Sequence, residues 1–442
     1  MKNEDMKVMK FGGTSVGTPQ RMKNVAELID DGERNFVVLS AMSGTTNSLL
    51  EISDYLSKGN TEAALQTLNA LESKYRQHVQ ELYSEGPHKE KMGAYVKEVM
   101  SYLRTFAKSV WTPRVEKLIV AQGELLSTHM MTYLLQQERK KVCLLPALDF
   151  MRTDKDAEPD QAYIRQHLSE LLEEHRGYDL YITQGFICRN ASGEVDNLLR
   201  GGSDYTASLV GAAIGASEIQ IWTDIDGMHN NDPRYVEGTQ PVAQLHFEEA
   251  AELGYFGAKI LHPTCVQPAK FAGIPVKLLN TMEPSAPGTI INNDMQHGSI
   301  KAVAAKDGIT AININSSRML LAYGFLRKVF EIFETYKTSI DMICTSEVGV
   351  SVTIDNNAHL SPIIEELKQL GTVRVDKDMC IICVVGDLNW QNVGFETMAA
   401  EAMKTIPVRM ISYGGSAHNI SFLVKQTDKI PALRALSKNL FA

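Results

Sequence analysis

Short apolar runs alternate with helix-period segments through the first two-thirds of the chain. "KVMKF" (7–11), "NFVVLSAM" (35–42), "VCLLPAL" (142–148), "YDLYITQGFI" (178–187), "EIQIWTD" (218–224) and "IPVKLLN" (274–280) have the length and β-branched content of buried strands. Between them, "TPQRMKNVAELID" (18–30), "SLLEISDYLSKG" (48–59), "DYTASLVGAAIGA" (204–216) and "HFEEAAELGYFGA" (246–258) place apolar residues three and four apart, as a half-buried helix requires. "SGTTN" (43–47) reads as a polar loop, and residues 60–140 are mostly helical in period. Strand–helix alternation of this length predicts an α/β domain with a largely parallel sheet. Ligands in such a fold gather in loops at the carboxyl ends of the strands.

Around "MEPSAPGTIINNDMQHGSIKAV" (282–303) Pro, Gly, Ser and Asn cluster, which marks a domain boundary. Beyond it the rhythm changes. Strands are expected at "ITAININS", "SIDMICTSE", "GVSVTID", "TVRVDKDMCIICVVG", "PVRMISYG" and "NISFLVK", and helices at "LRKVFEIFETYKT", "SPIIEELKQLG", "FETMAAEAMKT" and "KIPALRALSKNL". The order strand–helix–strand–strand–helix–strand, met twice, suggests two small α+β modules of the ferredoxin-like type.

Composition narrows the function classes. The hydrophobic share is 44%, ordinary for a folded chain, and 442 residues allow several domains. A net charge of −9 argues against a broad nucleic-acid surface or a polybasic membrane face. No run approaches the ~20 apolar residues that span a bilayer. "MKNEDMKVMK" lacks the apolar centre of a signal peptide, so a cytoplasmic protein is expected. Six scattered cysteines fit a reducing compartment. Cys380 and Cys383 have C-x-x-C spacing but lie in a strand-like run, where residues three apart point to opposite faces; no metal site is expected there.

Several loops could carry chemistry. "VMKFGGTSVG" fits neither the Walker loop nor the dinucleotide fingerprint: Thr18 and Pro19 follow Gly17, and Thr14 stands where a second glycine is needed. It is either a tight turn with an exposed lysine or an anion cradle of backbone N–H groups, with Lys10 as a point charge. "RGGSD" (200–204) opens a helix that Ser203 or Asp204 could cap, and Arg200 suits bidentate recognition of carboxylate or phosphate. Glu124 in "GELLS" reads as a solvated carboxylate or a ligand. Thr223 and Asp224 end a strand in "WTDIDG", ahead of "DPR", in a position that suits a ribose or a magnesium shell. Lys259 lies in an apolar segment and should have a partner; His262 reads as structural. The histidines show no metal spacing such as H-E-x-x-H, and no G-x-S-x-G elbow occurs.

In order, "KFGGTSV", "VVLSAMSGTTN", "GELLS", "RGGSDYTA", "WTDIDG", "DPR", "FGAKILHP" and "TSE" resemble the aspartate kinases of the amino-acid kinase superfamily, over nearly the whole chain. The resemblance implies an amino-acid kinase fold over 1–295, then two ACT modules over 305–375 and 376–442, with the segment 300–315 contributing a strand to the second. It implies transfer of the ATP γ-phosphate, with Mg²⁺, to the side-chain carboxylate of L-aspartate, the entry to lysine, threonine, methionine and diaminopimelate. By analogy, Lys10 and Asp204 are the catalytic pair. Ser40, Thr46, Asn47, Glu124, Arg200 and Ser203 contact aspartate. Lys10, Gly12, Gly13, Ser15, Thr223, Asp224, His229, Arg234 and Lys259 serve ATP, and no protein metal ligand is implied. The residue types agree with the chemistry. A carboxylate with a pKa near ~3.9 is already ionised, so no strong base is needed; cations and N–H donors around the transferred group are.

The C-terminal part resembles the lysine-sensitive class. Met319, Gly324, Phe325, Leu326, Ser339, Ile340, Asp341, Ser346 and Glu347 would line an effector site, whose acids suit lysine, alone or with threonine. A homodimer through the ACT modules is implied, or a dimer of dimers. Leu199 replaces the family's usual glycine before the arginine, His229 its usual tyrosine and Ala322 its common serine. Rival readings are a glutamate 5-kinase, an N-acetylglutamate kinase or a catalytically silent sensor; "GELLS", the paired modules and the retained Lys10, Arg200, Asp204 and Lys259 count against them.

Overall fold

The computed structural model describes residues 6–198, 201–257, 261–319 and 323–441. Its contacts divide the chain into two units: one of residues up to Gly227 with Leu261–Asn293, the other Met228–Ile260 with Asp294 onward.

The first unit is built on β1 (Met6–Phe11), β2 (Arg34–Leu39), β3 (Val142–Leu144), β4 (Leu180–Gln184), the small hairpin β5 (Ile187–Arg189) and β6 (Val195–Asn197), and β7 (Glu218–Thr223). β8 (Gln244–His246) belongs to the other unit; β9 (Val276–Asn280) and β10 (Thr289–Asn292) complete this one. The order is β3-β4-β2-β1-β7-β9-β10. All neighbours are parallel except β10, which runs antiparallel to β9. Near-continuous burial of β1, β2 and β4 explains their unbroken apolar runs, because helices cover both faces of a parallel sheet. The largely parallel sheet expected from the sequence is thus present.

Local signals set the helix ends. Thr18 caps the first helix (Pro19–Ile29) through its hydroxyl, with Pro19 in the first turn. That helix buries Met22, Val25, Ala26 and Ile29, a stripe at three- and four-residue spacing. The long helices Thr61–Leu82 and Pro87–Thr105 join the same core through Leu68, Tyr75, Val79, Val96 and Met100. Each such side chain contributes roughly 1.5–3 kcal/mol when fully buried. Two expectations need correction. "VCLLPAL" is a strand only over Val142–Leu144, and Pro146 precedes a short helix, Ala147–Phe150. "SGTTN" is not all loop: Gly44, left-handed at φ +79°, turns the chain, and a helix begins at Thr45. Thr46 and Asn47 therefore sit in a helical first turn.

In the second unit, β11 (Ile300–Asn315), β12 (Ile343–Thr345), β13 (Gly349–Ile354), β14 (Thr372–Gly386), β15 (Met410–Tyr413) and β16 (Asn419–Lys425) form one sheet in the order β12-β13-β11-β14-β16-β15. All its pairings are antiparallel. β11 and β14 pair along most of their length, with irregularities around Lys306 and Ile309. The first half of β11 faces Ile381–Gly386, and its second half pairs with both β13 and the start of β14. Two apolar clusters result. One gathers Ile312, Val329, Phe333, Val352 and Ile363; the other Val303, Ile382, Phe422, Leu433 and Leu436. The strand expected over 339–347 shrinks to β12. Cys380 and Cys383 are both buried free thiols, and only Cys380 belongs to the second cluster. Burial pushes the Cys380 thiol up to about 12.

Candidate functional site

The site begins at the carboxyl end of β1. Lys10 pairs there with Val38 of β2 and Ile221 of β7. Beyond it the loop is stitched to both neighbours: Gly12 N–H donates to the Trp222 carbonyl (3.3 Å), Ser40 N–H to Phe11 (3.1 Å) and Ser43 N–H to Gly13 (3.0 Å). Closeness requires Gly13, whereas Gly12 has ordinary contact distance around it. A Cβ on Gly13 would stand 2.8 Å from the Ala41 carbonyl oxygen, and one on Gly12 would stand 3.5 Å from Lys10 Nζ.

Lys10 is 9% exposed, and its Nζ lies 2.7 Å from Asp204 Oδ1. Asp204 is in the first turn of the helix Gly202–Ile214. Neither Ser203 nor Asp204 caps that helix: the N-cap is Gly201, left-handed at φ +69°, without a side-chain bond. This departs from the reading of "RGGSD" as a side-chain-capped helix, and the reason matters. A glycine makes the turn, so the Asp204 carboxylate is left to hold the lysine.

A cavity of about 390 Å³ opens beside this pair. Ser40, Thr46, Asn47, Glu124, Ser203 and Gly13 line it together with Lys10 and Asp204. Glu124 is not a solvated carboxylate. It is 3% exposed; its Oε1 accepts the Ala41 N–H (3.2 Å) and its Oε2 is buried with no partner. Burial pushes its pKa up to about 8. A cation brought beside it would favour its ionised form.

Phe186, absent from the sequence-derived set, also lines the cavity. It is held left-handed (φ +68°), and its N–H donates to Thr206 Oγ1 (3.1 Å). Its ring fills the space a Cβ on Gly202 would need (2.6 Å), and Gly185 makes room for the Ser203 hydroxyl in the same way. The flanking glycines were the only legible signal; a bulky residue at positive φ has none.

Other expected residues are placed elsewhere. Ser15 is fully buried, and its hydroxyl bonds to that of Thr281 (2.7 Å), so it braces the loop. Thr223 and Asp224 end β7, next to β1, and Thr223 donates to Asp224 (3.2 Å). His229 and Arg234 lie in the second unit. There His229 Nδ1 meets Thr239 Oγ1 (2.9 Å), and Asp232 grips Arg234 through both carboxylate oxygens (2.6 and 2.9 Å). Arg200, Lys259, Leu199 and Ala322 lie outside the described residues.

Of the effector set, Gly324 is left-handed before the helix Phe325–Thr335. Phe325 is buried, Met319 and Ile340 pack on the first cluster, and Leu326, Ser339, Ser346 and Glu347 are exposed. Asp341 is different. Its side chain is 1% exposed and already engaged by Lys306 Nζ (2.7 Å) and the Tyr255 hydroxyl (2.5 Å). Burial works against the Lys306 ammonium, yet Asp341 and Asp355 hold its pKa above the ordinary value.

Among the described residues no helix is long and apolar enough to cross a membrane. The sequence matches the amino acid kinase family over residues 5–280 and an ACT domain over residues 382–440. It is 35% identical to aspartokinase 1, chloroplastic, of Arabidopsis thaliana, over 98% of this chain and 80% of that protein. It is 32% identical to lysine-sensitive aspartokinase 3 of Escherichia coli, over 98% of this chain and 99% of that one. The crystal structure of E. coli aspartokinase III in complex with aspartate and ADP matches with a TM-score of 0.85 at 32% identity, covering 99% of this chain and 100% of that one. That enzyme's complex with lysine and aspartate matches at 0.81, with the same identity and coverage. With the fold, the ordered loops and the full-length likeness in agreement, the chain belongs to the amino acid kinase family and, within it, to the aspartokinases.

Proposed function

We infer that the protein transfers the γ-phosphoryl group of MgATP to the side-chain carboxylate of L-aspartate, giving 4-phospho-L-aspartate and ADP. One observation carries the reading: the Lys10–Asp204 ion pair opens on the same cavity as the partnerless, buried oxygen of Glu124. The first can meet a phosphoryl group in transfer, the second an α-ammonium.

The substrate carboxylate is ionised at neutral pH and attacks without a base. The barrier lies in bringing one anion against another, and Lys10 with the N–H group of Gly13 supplies positive potential where charge accumulates. Asp204 keeps the ammonium aimed. Ser40, Thr46, Asn47 and Ser203 offer hydrogen bonds to aspartate, and Arg200 suits its α-carboxylate. Thr223, Asp224, His229, Arg234 and Lys259 are proposed for the nucleotide. Mg²⁺ would enter with ATP, held by phosphate oxygens and water. A coupled ADP-release assay tests the reaction: turnover should depend on aspartate and fail with glutamate and N-acetylglutamate. MgATP turnover indifferent to aspartate would refute it.

We further propose feedback inhibition by lysine, a homodimer through the ACT modules and a cytoplasmic location. The E. coli relative is named lysine-sensitive, and one structure of that enzyme holds lysine. Because Asp341 is held by Lys306, the exposed Glu347 is the acid a free lysine can reach without displacing an internal cation. Glu347→Ala is expected to raise the half-inhibitory lysine concentration by about tenfold, a loss of ~1.4 kcal/mol, with uninhibited activity intact. An unchanged inhibition curve would remove Glu347 from the effector site.

A further inference from the structure

His246, Glu248 and His418 stand apart from everything assigned above. All three belong to the second unit. His246 is the N-cap of the helix Phe247–Tyr255, Glu248 lies in its first turn, and His418 immediately precedes β16. One ligand atom from each falls within 4.8 Å of the other two. His418 Nε2 is 2.9 Å from Glu248 Oε2, and the two imidazole rings lie 5.8 Å apart at 27°. His418 is 8% exposed, and its Nδ1 is buried with no hydrogen-bond partner. The neighbouring Glu249 is fully buried; it has one oxygen on the His246 N–H (2.8 Å) and the other without a partner. Burial pushes the Glu249 carboxyl up.

We propose that His246, Glu248 and His418 form a binding site for a divalent transition-metal ion of the zinc type. Two imidazoles and a carboxylate are the donor set such ions take, at about 2.0–2.2 Å per bond, which brings ligand atoms to roughly 3.3–3.5 Å of one another. The His418–Glu248 contact is already inside that separation, so ligation needs only small side-chain rotations to open it and draw in His246. Magnesium and calcium, which prefer all-oxygen shells, are disfavoured. A hydrogen bond opposes the ion: His246 Nδ1 accepts the Glu248 N–H at 3.2 Å. A neutral imidazole has one lone pair, so ligation through either ring nitrogen gives up this bond. The bond given up is a single neutral helix cap, set against bonds from three ligands to the ion. The exchange links metal occupancy to the start of the helix Phe247–Tyr255.

The test uses the full, untagged chain after dialysis against a chelator, titrated with Co²⁺ alone and followed by its visible ligand-field absorption, then with Zn²⁺ in competition. Saturable uptake of one ion per chain is expected, unaffected by millimolar Mg²⁺. His246→Gln and Glu248→Gln, both at the partly exposed rim, should each weaken it by about tenfold or more, and His418→Asn should abolish it. The two rim variants should keep the wild-type far-UV spectrum and MgATP-dependent turnover, so a loss of binding cannot be laid to misfolding. Failure of the wild-type chain to bind Co²⁺, displacement by Mg²⁺, or binding that survives in the two rim variants would each overturn the proposal, leaving a His418–Glu248 side-chain contact and nothing more.

Discussion

Lys10→Ala is expected to lower kcat by about 10²–10³-fold while changing the KM for ATP by less than tenfold. The magnitude is that of removing one preorganised charge from the place where negative charge develops. The split between kcat and KM follows because ground-state ATP keeps the N–H group of Gly13, whereas the phosphoryl group in flight loses its nearest cation. The lysine sits within 2.7 Å of Asp204 and is 9% exposed, so bulk water screens it little. Asp204→Asn should give a smaller loss, since it leaves the ammonium in place and removes only what aims it. Steady-state kinetics at saturating aspartate decide the matter. A Lys10→Ala enzyme that turns over normally, or fails only through a raised KM for ATP, removes Lys10 from the transition state.

Glu124→Gln is expected to raise the KM for aspartate by about 10²-fold or more, because a buried charge pair broken on one side costs about 3–5 kcal/mol. It should also change the proton balance of binding. With its pKa pushed up to about 8, the free carboxyl is protonated at pH 7. An aspartate ammonium beside it favours the ionised form, so binding releases a proton. Calorimetry at pH 7 in two buffers of different ionisation enthalpy should show close to one proton released by the wild type and none by Glu124→Gln. The sign for stability runs the other way from a salt-bridged acid. The folded state holds this proton above the unfolded pKa of 4.5, so stability falls as pH rises from 4.5 towards 8 and levels off above it. The full penalty is of order 5 kcal/mol. Urea midpoints of wild type and Glu124→Gln should therefore diverge between pH 5 and pH 9, the variant being the more stable at the alkaline end. Parallel curves, or equal proton release, would mean that Glu124 is ionised in the free protein and is not the ammonium's partner.

Much of the fold was legible. The expected strand over 419–425 and helix over 429–440 coincide with Asn419–Lys425 and Lys429–Leu440, because each is a clean periodic run bounded by polar residues. The run over 372–386 is one strand from end to end. Misreadings concentrate where a local pattern is overridden from a distance. "SGTTN" has loop composition, yet Thr45 begins a helix, its hydroxyl 3.0 Å from that of Tyr75. Ser339 to Met342 look like strand but lie ahead of β12, although Asp341 and Met342 still exchange backbone bonds with Thr353. Glu124 looks like a solvated acid because nothing adjacent in sequence shows that Ala41, 83 residues away, donates to it.

By itself the sequence determined the order of strands and helices, the parallel character of the first sheet and the ordered loops that carry Lys10, Glu124, Ser203 and Asp204. Periodicity and glycine placement act over a few residues, and those features are written at that range. Only the tertiary structure decided that Gly201 makes the turn and frees Asp204 for Lys10, that Glu124 is sealed from water with one oxygen unmatched, that Phe186 is forced left-handed against Gly202, and that β11 and β14 bind two modules into one sheet. Those outcomes depend on which distant groups exclude water from one another, and a local pattern of apolar and polar positions does not record that.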